Sequence, residues 1–167
     1  GATNLLTGVA DANMDHAPML AITGQGSTER LHKESHQIMD VVSMFEPVTK
    51  WATSIRSSKA VPETIRKAVR LCRGGKPGAV LIEIPEDIAG SAARGTPLAP
   101  NRYRRPVPDA DLLEAARDAI AGAARPVILA GNGVIRTGAT AALRSFVDAF
   151  GVPTISTFMA KGVVDRG

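Results

Sequence analysis

The sequence predicts an α/β protein with a mostly parallel sheet, and two observations carry that reading. Helix-periodic stretches alternate at short intervals with apolar, strand-like runs. The same alternation then restarts after a stretch rich in proline and arginine, which divides the chain into two pieces.

The first piece begins with Leu5, Leu6, Val9, Ala10 and Met14 at helical spacing after Thr3, followed by the apolar run Met19 to Ile22, closed by Thr23-Gly24 and suited to a buried strand. After a polar loop, Ile38 to Phe45 has a helical pattern that should end before Pro47, because the residue preceding a proline avoids helical torsions. Trp51 to Ile55 is a second short strand. Pro62 suits the first turn of a helix whose apolar face is Ile65, Ala68, Val69 and Cys72, with Gly74 placed to stop it. Ala79 to Ile84 is the strongest strand pattern in the chain.

Gly90 to Pro108 contains Pro97, Pro100, Pro106 and Pro108, a poor composition for a helix or a central strand and a good one for a linker. Beyond it, Asp109 can cap a helix that presents Leu112, Leu113, Ala116 and Ile120. Pro126 to Ala130 reads as a buried-type strand and Gly131-Asn132-Gly133 as a turn. A helix presenting Leu143, Phe146, Val147 and Phe150 ends at Gly151, before the strand Val152 to Ile155. The expected division is residues 1–90, a linker at 91–108, and residues 109–167. Two strands are few for a stable sheet, so the second piece reads as the start of a larger domain.

The 167 residues are 44% hydrophobic, enough for a core. No apolar run approaches the roughly 20 residues of a membrane-spanning helix, and the start lacks a signal peptide's basic region. A formal charge of +4 invites a nucleic-acid reading. Residues 1–90 nevertheless carry ten basic and ten acidic side chains, and residues 109–167 six of each, so the surplus is Arg94, Arg102, Arg104 and Arg105 of the linker. With one Trp, one Tyr and four Phe, the chain also lacks the stacking platforms of single-strand binders. Neither nucleic acid nor membrane is therefore an expected partner. Cys72 is the sole cysteine, which excludes an internal disulfide and suits a cytoplasmic protein.

The local motifs name no reaction. Gly131-Asn132-Gly133 lies between a strand and a helix, where backbone amides can approach a phosphate, but Arg136 stands where a dinucleotide fingerprint needs a third glycine. Nucleotide contact and a plain tight turn both fit. Gly24-Gln25-Gly26 likewise has Glu29 at the third position. His32 and His36 are four apart, but Lys33 replaces the glutamate of a metalloprotease helix, and Cys72 is the only thiol for a structural zinc site. No metal site is expected in the chain. His36 and Gln37 follow a probable sheet strand, where α/β proteins hold ligands, and are the residue-level site candidates against a plain surface loop.

Several segments closely resemble the acetolactate synthase (acetohydroxyacid synthase) large-subunit family of thiamine-diphosphate enzymes. These are Gly1 to Asn4, Gly8 to Asp11, Ala21 to Gln25, Ser35-His36-Gln37, Pro47 to Lys50, Lys76-Pro77-Gly78, Ile84 to Ile88, Arg125 to Gly131 and Thr157-Phe158-Met159, in collinear order over essentially the whole chain. The resemblance implies a three-layer thiamine-diphosphate-binding fold: the later part of the pyrimidine-binding domain, then the start of a Rossmann-like central domain. It implies a transferase that decarboxylates pyruvate on thiamine diphosphate and condenses the two-carbon unit with a second 2-oxo acid, in branched-chain amino-acid biosynthesis. The cofactor supplies the electron sink.

On the resemblance, Gln37 faces the cofactor and reacting centre beside His36, and Asn4 lies in the stretch that approaches the pyrimidine. Gln25 and Lys50 match the mouth of the substrate channel. Lys76, Asn132, Thr157 and Phe158 match positions that contact FAD in biosynthetic members; relatives often have Arg at the position of Lys76, whose planar fork a lysine cannot reproduce. His36 stands where plant-type biosynthetic members have Phe and is similar to the catabolic enzymes, which lack FAD. The activating glutamate and the Mg²⁺ ligands are expected outside these residues, so the chain alone should be inactive. A homodimer or tetramer with its site at the subunit interface is implied, and the resemblance allows a small regulatory subunit. Glyoxylate carboligase and sulfoacetaldehyde acetyltransferase share the pattern, and a non-catalytic nucleotide-binding module is the alternative of another class.

Overall fold

The computed structural model describes residues 1–92, 95–101 and 106–164. The chain forms two compact units, Gly1–Arg105 and Pro106–Gly167. Both contain parallel sheet with helices, the α/β class expected.

In the first unit, α1 (Ala2–Met14) leads into β1 (Met19–Gln25). There follow α2 (Val41–Phe45), β2 (Trp51–Ser54), α3 (Val61–Arg73), β3 (Ala79–Pro85) and the short α4 (Glu86–Ala89). The three strands are parallel in the order β1-β3-β2, with Ala21 and Ala52 both level with Leu81. Central β3 is apolar from Ala79 to Ile82 because both its faces are covered there. Ala79 and Leu81 pack with Val9, Ala21, Val41 and Phe45 beneath α1 and α2. Val80 and Ile82 pack with Ile55, Ala68 and Cys72 beneath α3, which completes three layers.

Helix α1 turns inward a face that keeps Leu6 and Val9 of the expected stripe but is rotated away from Leu5 and Met14. Val9 and Ala12 are buried with Leu6 and Ala2 beside them, while Leu5 and Met14 are exposed. The Asn13 Oδ1 atom accepts the Ala79 amide at 3.1 Å, which fixes the C-terminus of α1 against the start of β3. Helix α2 begins at Val41 rather than Ile38, because Asp40 caps it through Ser43 N–H at 2.9 Å and Ser43 Oγ–H at 2.7 Å. The chain then passes through a 3₁₀ turn over Glu46–Val48 that accommodates Pro47. Residues Gly95 to Pro100 lie along α3 and α4, sharing an apolar groove with Val61, Ile65 and Ile88, so this stretch of the expected linker belongs to the first unit. The four linker arginines lie outside the described residues.

The second unit contains α5 (Ala110–Ala121), β4 (Ile128–Ala130), α6 (Gly133–Thr137), α7 (Thr140–Phe150) and β5 (Thr154–Ser156). Asp109 caps α5 as expected, accepting the Asp111 amide at 2.9 Å. Its apolar stripe is nevertheless solvent-facing, with Leu112, Leu113 and Ile120 all exposed. Strands β4 and β5 pair in parallel. Ala130 packs with Ala160 and Val163 against Val134 and Leu143. The other face of the pair carries Leu129 and Ile155, level in register and both exposed. Gly138 and Gly151 end α6 and α7 in the left-handed conformation, at φ 71° and 59°.

No helix among the described residues is long and apolar enough to cross a membrane.

Candidate functional site

The carboxyl ends of β1, β2 and β3 face an open cavity of about 1240 Å³, the edge at which parallel α/β sheets hold ligands. The loop of residues 26–40 leaves β1 here. Its lining includes Gln25, Ser54, Arg56, Thr64, Glu83 and Pro85, a mixture of hydroxyls, an amide and both charge signs.

Two residues organise this edge. Glu83 is 4% exposed on central β3, where every nearer residue of the strand is apolar. A buried carboxylate is costly unless bonded, and the Gln25 Nε2 amide donates to its Oε2 at 2.9 Å. The second hydrogen of the same amide reaches the Met39 carbonyl at 2.7 Å, and Gln25 Oε1 accepts the Gly26 amide at 2.9 Å. One side chain thus joins β1, β3 and both ends of the loop. Level with Glu83 on β1, the Thr23 hydroxyl is buried and has no partner among the described residues.

Further along, Asp87 receives Thr28 N–H at 2.9 Å and Thr28 Oγ–H at 2.6 Å. The Thr28 hydroxyl and then its amide hold the Asp87 carboxyl below the usual carboxylate range. The Ser43 amide and hydroxyl do the same for Asp40. At Gly26 a Cβ would overlap the end of the Ile38 side chain, so the two ends of the loop touch where only glycine leaves room.

The residues proposed from sequence separate into three places. Gln25 lines the cavity, though its polar atoms are occupied as described. His36 and Gln37 are exposed on a turn closed by Ile38 N–H to the Ser35 carbonyl at 3.2 Å, and they do not line the cavity. Gln37 has φ 64°, a conformation that non-glycine residues seldom adopt. Asn4 is exposed in the first turn of α1. Because the other end of α1 is fixed to the start of β3, Asn4 lies toward the carboxyl edge of the sheet.

Lys50 and Lys76 are at the opposite, amino-terminal edge. Lys50 precedes β2, and its ammonium donates to the carbonyls of Leu71 at 2.5 Å, Gly74 at 2.9 Å and Lys76 at 2.7 Å. All three of its donors are engaged at the C-terminus of α3, where carbonyls lack intrahelical partners. Within this unit Lys50 serves as a helix cap. Burial pushes its pKa down, with Cys72 acting the other way. Lys76 is exposed in the turn that leads to β3. Burial in turn raises the Cys72 thiol, which suits a packing residue more than a nucleophile.

In the second unit, Asn132, Thr157 and Phe158 gather at the carboxyl ends of β4 and β5. The Thr157 amide bonds the Ala130 carbonyl at 2.9 Å, and Asn132 follows two residues after Ala130. Phe158 is 91% exposed.

Glu83 and Asp87 were not singled out from the sequence. Glu83 did leave a signal, since an acid in an otherwise apolar central strand is rarely buried without a task. Among the described residues no three His, Cys, Asp or Glu side chains converge as a metal cage would require.

Comparison with known proteins matches both units. Residues 1–44 match the family model described as thiamine pyrophosphate enzyme, N-terminal TPP binding domain. Residues 113–167 match the model described as thiamine pyrophosphate enzyme, central domain. The chain is 36% identical over 164 residues to glyoxylate carboligase of Escherichia coli O157:H7, covering 97% of this chain and 28% of that protein. It is 37% identical over 166 residues to an acetolactate synthase of Mycobacterium leprae, covering 97% and 27%. It is 34% identical over 180 residues to a probable acetolactate synthase large subunit of Methanococcus aeolicus, covering 99% and 29%. The chain therefore spans less than a third of the length of these relatives. With an N-terminal match in its first unit and a central-domain match in its second, in that order, the chain belongs to the thiamine pyrophosphate enzymes.

Proposed function

We propose that the chain is part of a thiamine-pyrophosphate-dependent carboligase, an acetolactate synthase, that acts on pyruvate and a second 2-oxo acid. The observation that supports this best is the collinear match of nearly the whole chain to acetolactate synthases, at 34–37% identity across both units. In this reading, thiamine pyrophosphate supplies the electron sink for decarboxylating a 2-oxo acid. The chain's own part is to position and to exclude water.

Asn4 and Gln37, two exposed amides belonging to the first unit, suit an uncharged heteroaromatic ring. Each can donate and accept without carrying charge. His36, beside Gln37 on the same turn, adds an imidazole whose two ring nitrogens offer hydrogen-bonding groups. Gln25 forms a wall of the cavity and fixes the loop. Mg²⁺ ligands and the activating glutamate are assigned to the remainder of the enzyme, as is the subunit interface of a homodimer or tetramer. A small regulatory subunit and a cytoplasmic location remain part of the same reading.

Asn132, Thr157 and Phe158 share one strand edge, with an exposed aromatic ring available to stack on a flat cofactor. That juxtaposition supports FAD in the second unit. The resemblance also gives Lys76, an exposed lysine of the first unit, a part in holding FAD, which its point charge suits.

The test is to incubate the purified full-length protein with thiamine pyrophosphate, Mg²⁺ and either pyruvate or glyoxylate. Acetolactate formed from pyruvate supports the proposal. Turnover of glyoxylate alone would instead assign the glyoxylate carboligase reading, which the 36% identical relative favours, and no turnover of either would favour a non-catalytic module. A flavin absorbance spectrum after gentle purification tests FAD, and a colourless, fully active protein would remove it.

A further inference from the structure

We infer that Glu83 is a positioning residue: through Gln25 it sets the loop of residues 26–39 and hence the placement of His36 and Gln37. The inference rests on the proposed function only for its catalytic consequence. The positioning itself rests on geometry.

The loop leaves β1 after Gln25 and returns at Met39, and both ends meet the same side chain. Gln25 Nε2 holds the Met39 carbonyl at 2.7 Å and the Glu83 carboxylate at 2.9 Å, while Gln25 Oε1 holds the Gly26 amide at 2.9 Å. An amide has two N–H donors and one carbonyl, so this set leaves Gln25 no free donor. Glu83 orients the whole arrangement because it cannot follow a moving loop. It sits on the central strand, 4% exposed, with Leu81 and Ile82 wholly buried before it and strands paired on both sides.

The partner is fixed in identity as well as place. A carboxylate is acceptor-only, so it requires the amino end of Gln25 to face it. That forces the carbonyl end toward Gly26 and the second N–H toward Met39. Were Glu83 apolar, the amide could reverse or leave, and the loop's return would lose its tie. Thr28 on Asp87 and Ile38 against Gly26 fasten the same loop at other points. The Thr28–Asp87 contacts and the Arg30–Glu86 pair at 4.0 Å tie the middle of the loop to α4, whereas the Gln25 pair joins its base to the central strand. Among the described residues, the exposed turn at His36 and Gln37 is held only from within the loop, by Arg30 on Ser35 at 3.1 Å and by Ile38 N–H on the Ser35 carbonyl, so its position is inherited from the base.

The experiment compares Glu83→Ala, Glu83→Gln and Gln25→Ala in the full-length protein. Trypsin cleavage after Arg30 and Lys33 reads the loop directly, and steady-state kinetics with pyruvate read its consequence. Glu83→Ala and Gln25→Ala should each speed loop cleavage by about tenfold or more, the scale of losing a hydrogen bond to a charged group. Glu83→Gln keeps an acceptor for Nε2 and should stay within about twofold of the wild type. The double variant Glu83→Ala/Gln25→Ala should be no worse than either single, because the two act through one contact. In both alanine variants kcat should fall more than KM changes, and the glutamine variant should rescue it.

Unchanged loop cleavage in Gln25→Ala, which leaves β3 intact, would overturn the inference even if Glu83→Ala fails to fold. Faster cleavage with unaltered kcat would also overturn it, reducing the contact to a structural tie. A wild-type protein with no carboligase activity would defeat the functional reading instead, and the cleavage assay would still decide whether Glu83 holds the loop.

Discussion

In the first unit, Ala79, Val80, Leu81 and Ile82 of β3 are wholly buried, whereas in the second Leu129 of β4 is 65% exposed and Ile155 of β5 is 57% exposed. Residues Ala79–Ile82 of β3 and Ile128–Ala130 of β4 are equally apolar and both strands are parallel, so composition does not account for the difference. The first unit supplies helices to both sides of its sheet: α1 and α2 on one, α3 on the other. Among the described residues, the second packs Val134, Leu143 and the segment around Val163 against one face only. Parallel strands ordinarily have both faces covered. An apolar strand thus records that burial is intended, while the helices present decide whether it is achieved. Helix α5 repeats the lesson with its exposed Leu112 and Leu113.

The largest test of this contrast is a pair of truncations. Leu81→Ala should destabilise the first unit by about 2–5 kcal/mol, the range for opening a cavity at a buried leucine. Leu129→Ala should change stability by no more than about 0.5 kcal/mol, as at an open surface. Denaturant titration of the full-length protein measures both. If Leu129→Ala costs as much as Leu81→Ala, the exposed face is covered in the assembled protein, and the two units are alike after all.

Next in size is a comparison of two cations that serve backbone carbonyls. Lys50 binds three at the end of α3, and Arg144 reaches Val163 O at 2.9 Å and Gly162 O at 3.0 Å. Lys50→Ala should cost about 1.5 kcal/mol, near the lower end for hydrogen bonds to a charged group because the side chain is partly solvated. It should also fray the last turn of α3, visible as lost amide protection near Leu71 to Gly74. Arg144→Ala should cost less than Lys50→Ala if the first unit is the more tightly built; equal costs would narrow the contrast to the sheet faces.

Two glycines make a smaller, local version. Gly26→Ala meets the end of Ile38 and should cost about 1 kcal/mol, at the low end for overpacking because a rotamer change of Ile38 relieves it. A Cβ at Gly131 meets nothing within 4 Å, so Gly131→Ala should be near neutral. Thermal denaturation of the two variants checks the ranking, and a neutral Gly26→Ala would show that the closed base of the loop is not under packing constraint.

Much of the fold was legible because strands buried on two faces leave continuous apolar runs. Ala79 to Ile82 is such a run, whereas Met19 to Ile22 lies on the edge strand and leaves Ile22 51% exposed; Gly74 and Gly151 follow the helices they terminate. Periodicity was less informative about which face turns inward. Leu5 and Met14 fit the helical spacing of α1 yet are exposed, while Ala12 is buried, because the sheet selects the side with room for close approach. Tertiary hydrogen bonds were not legible at all. Lys50 meets residues 21 to 26 positions away, and Gln25 meets Glu83 at a separation of 58. Nothing in the local pattern marks either pair. The site residues taken from resemblance therefore arrived without their geometry, which divides them between the two edges of the first sheet and one edge of the second.

The smallest expected effect concerns acid, and it belongs to the loop of the first unit. Asp87 and Asp40 both have carboxyl pKa values below their ordinary 3.8, because Thr28 and Ser43 donate to the ionised form. A carboxylate whose pKa is depressed on folding binds fewer protons folded than unfolded at pH values between the two pKa values. Its contribution is therefore complete above 3.8 and is lost as pH falls through the folded value. Both groups are solvent-facing, so the loss should appear as local opening rather than global unfolding. Amide protection factors for residues 27–39 should fall as the pH is lowered from 5 to 2, while those of β3 hold. Asp87→Asn should start with weaker loop protection and show less of this decline, since it keeps the shape but has no proton to gain. Protection that falls in step in the loop and in β3 would mean that acid acts on the whole unit, and the loop would then be no less secure than the strand from which Glu83 holds it.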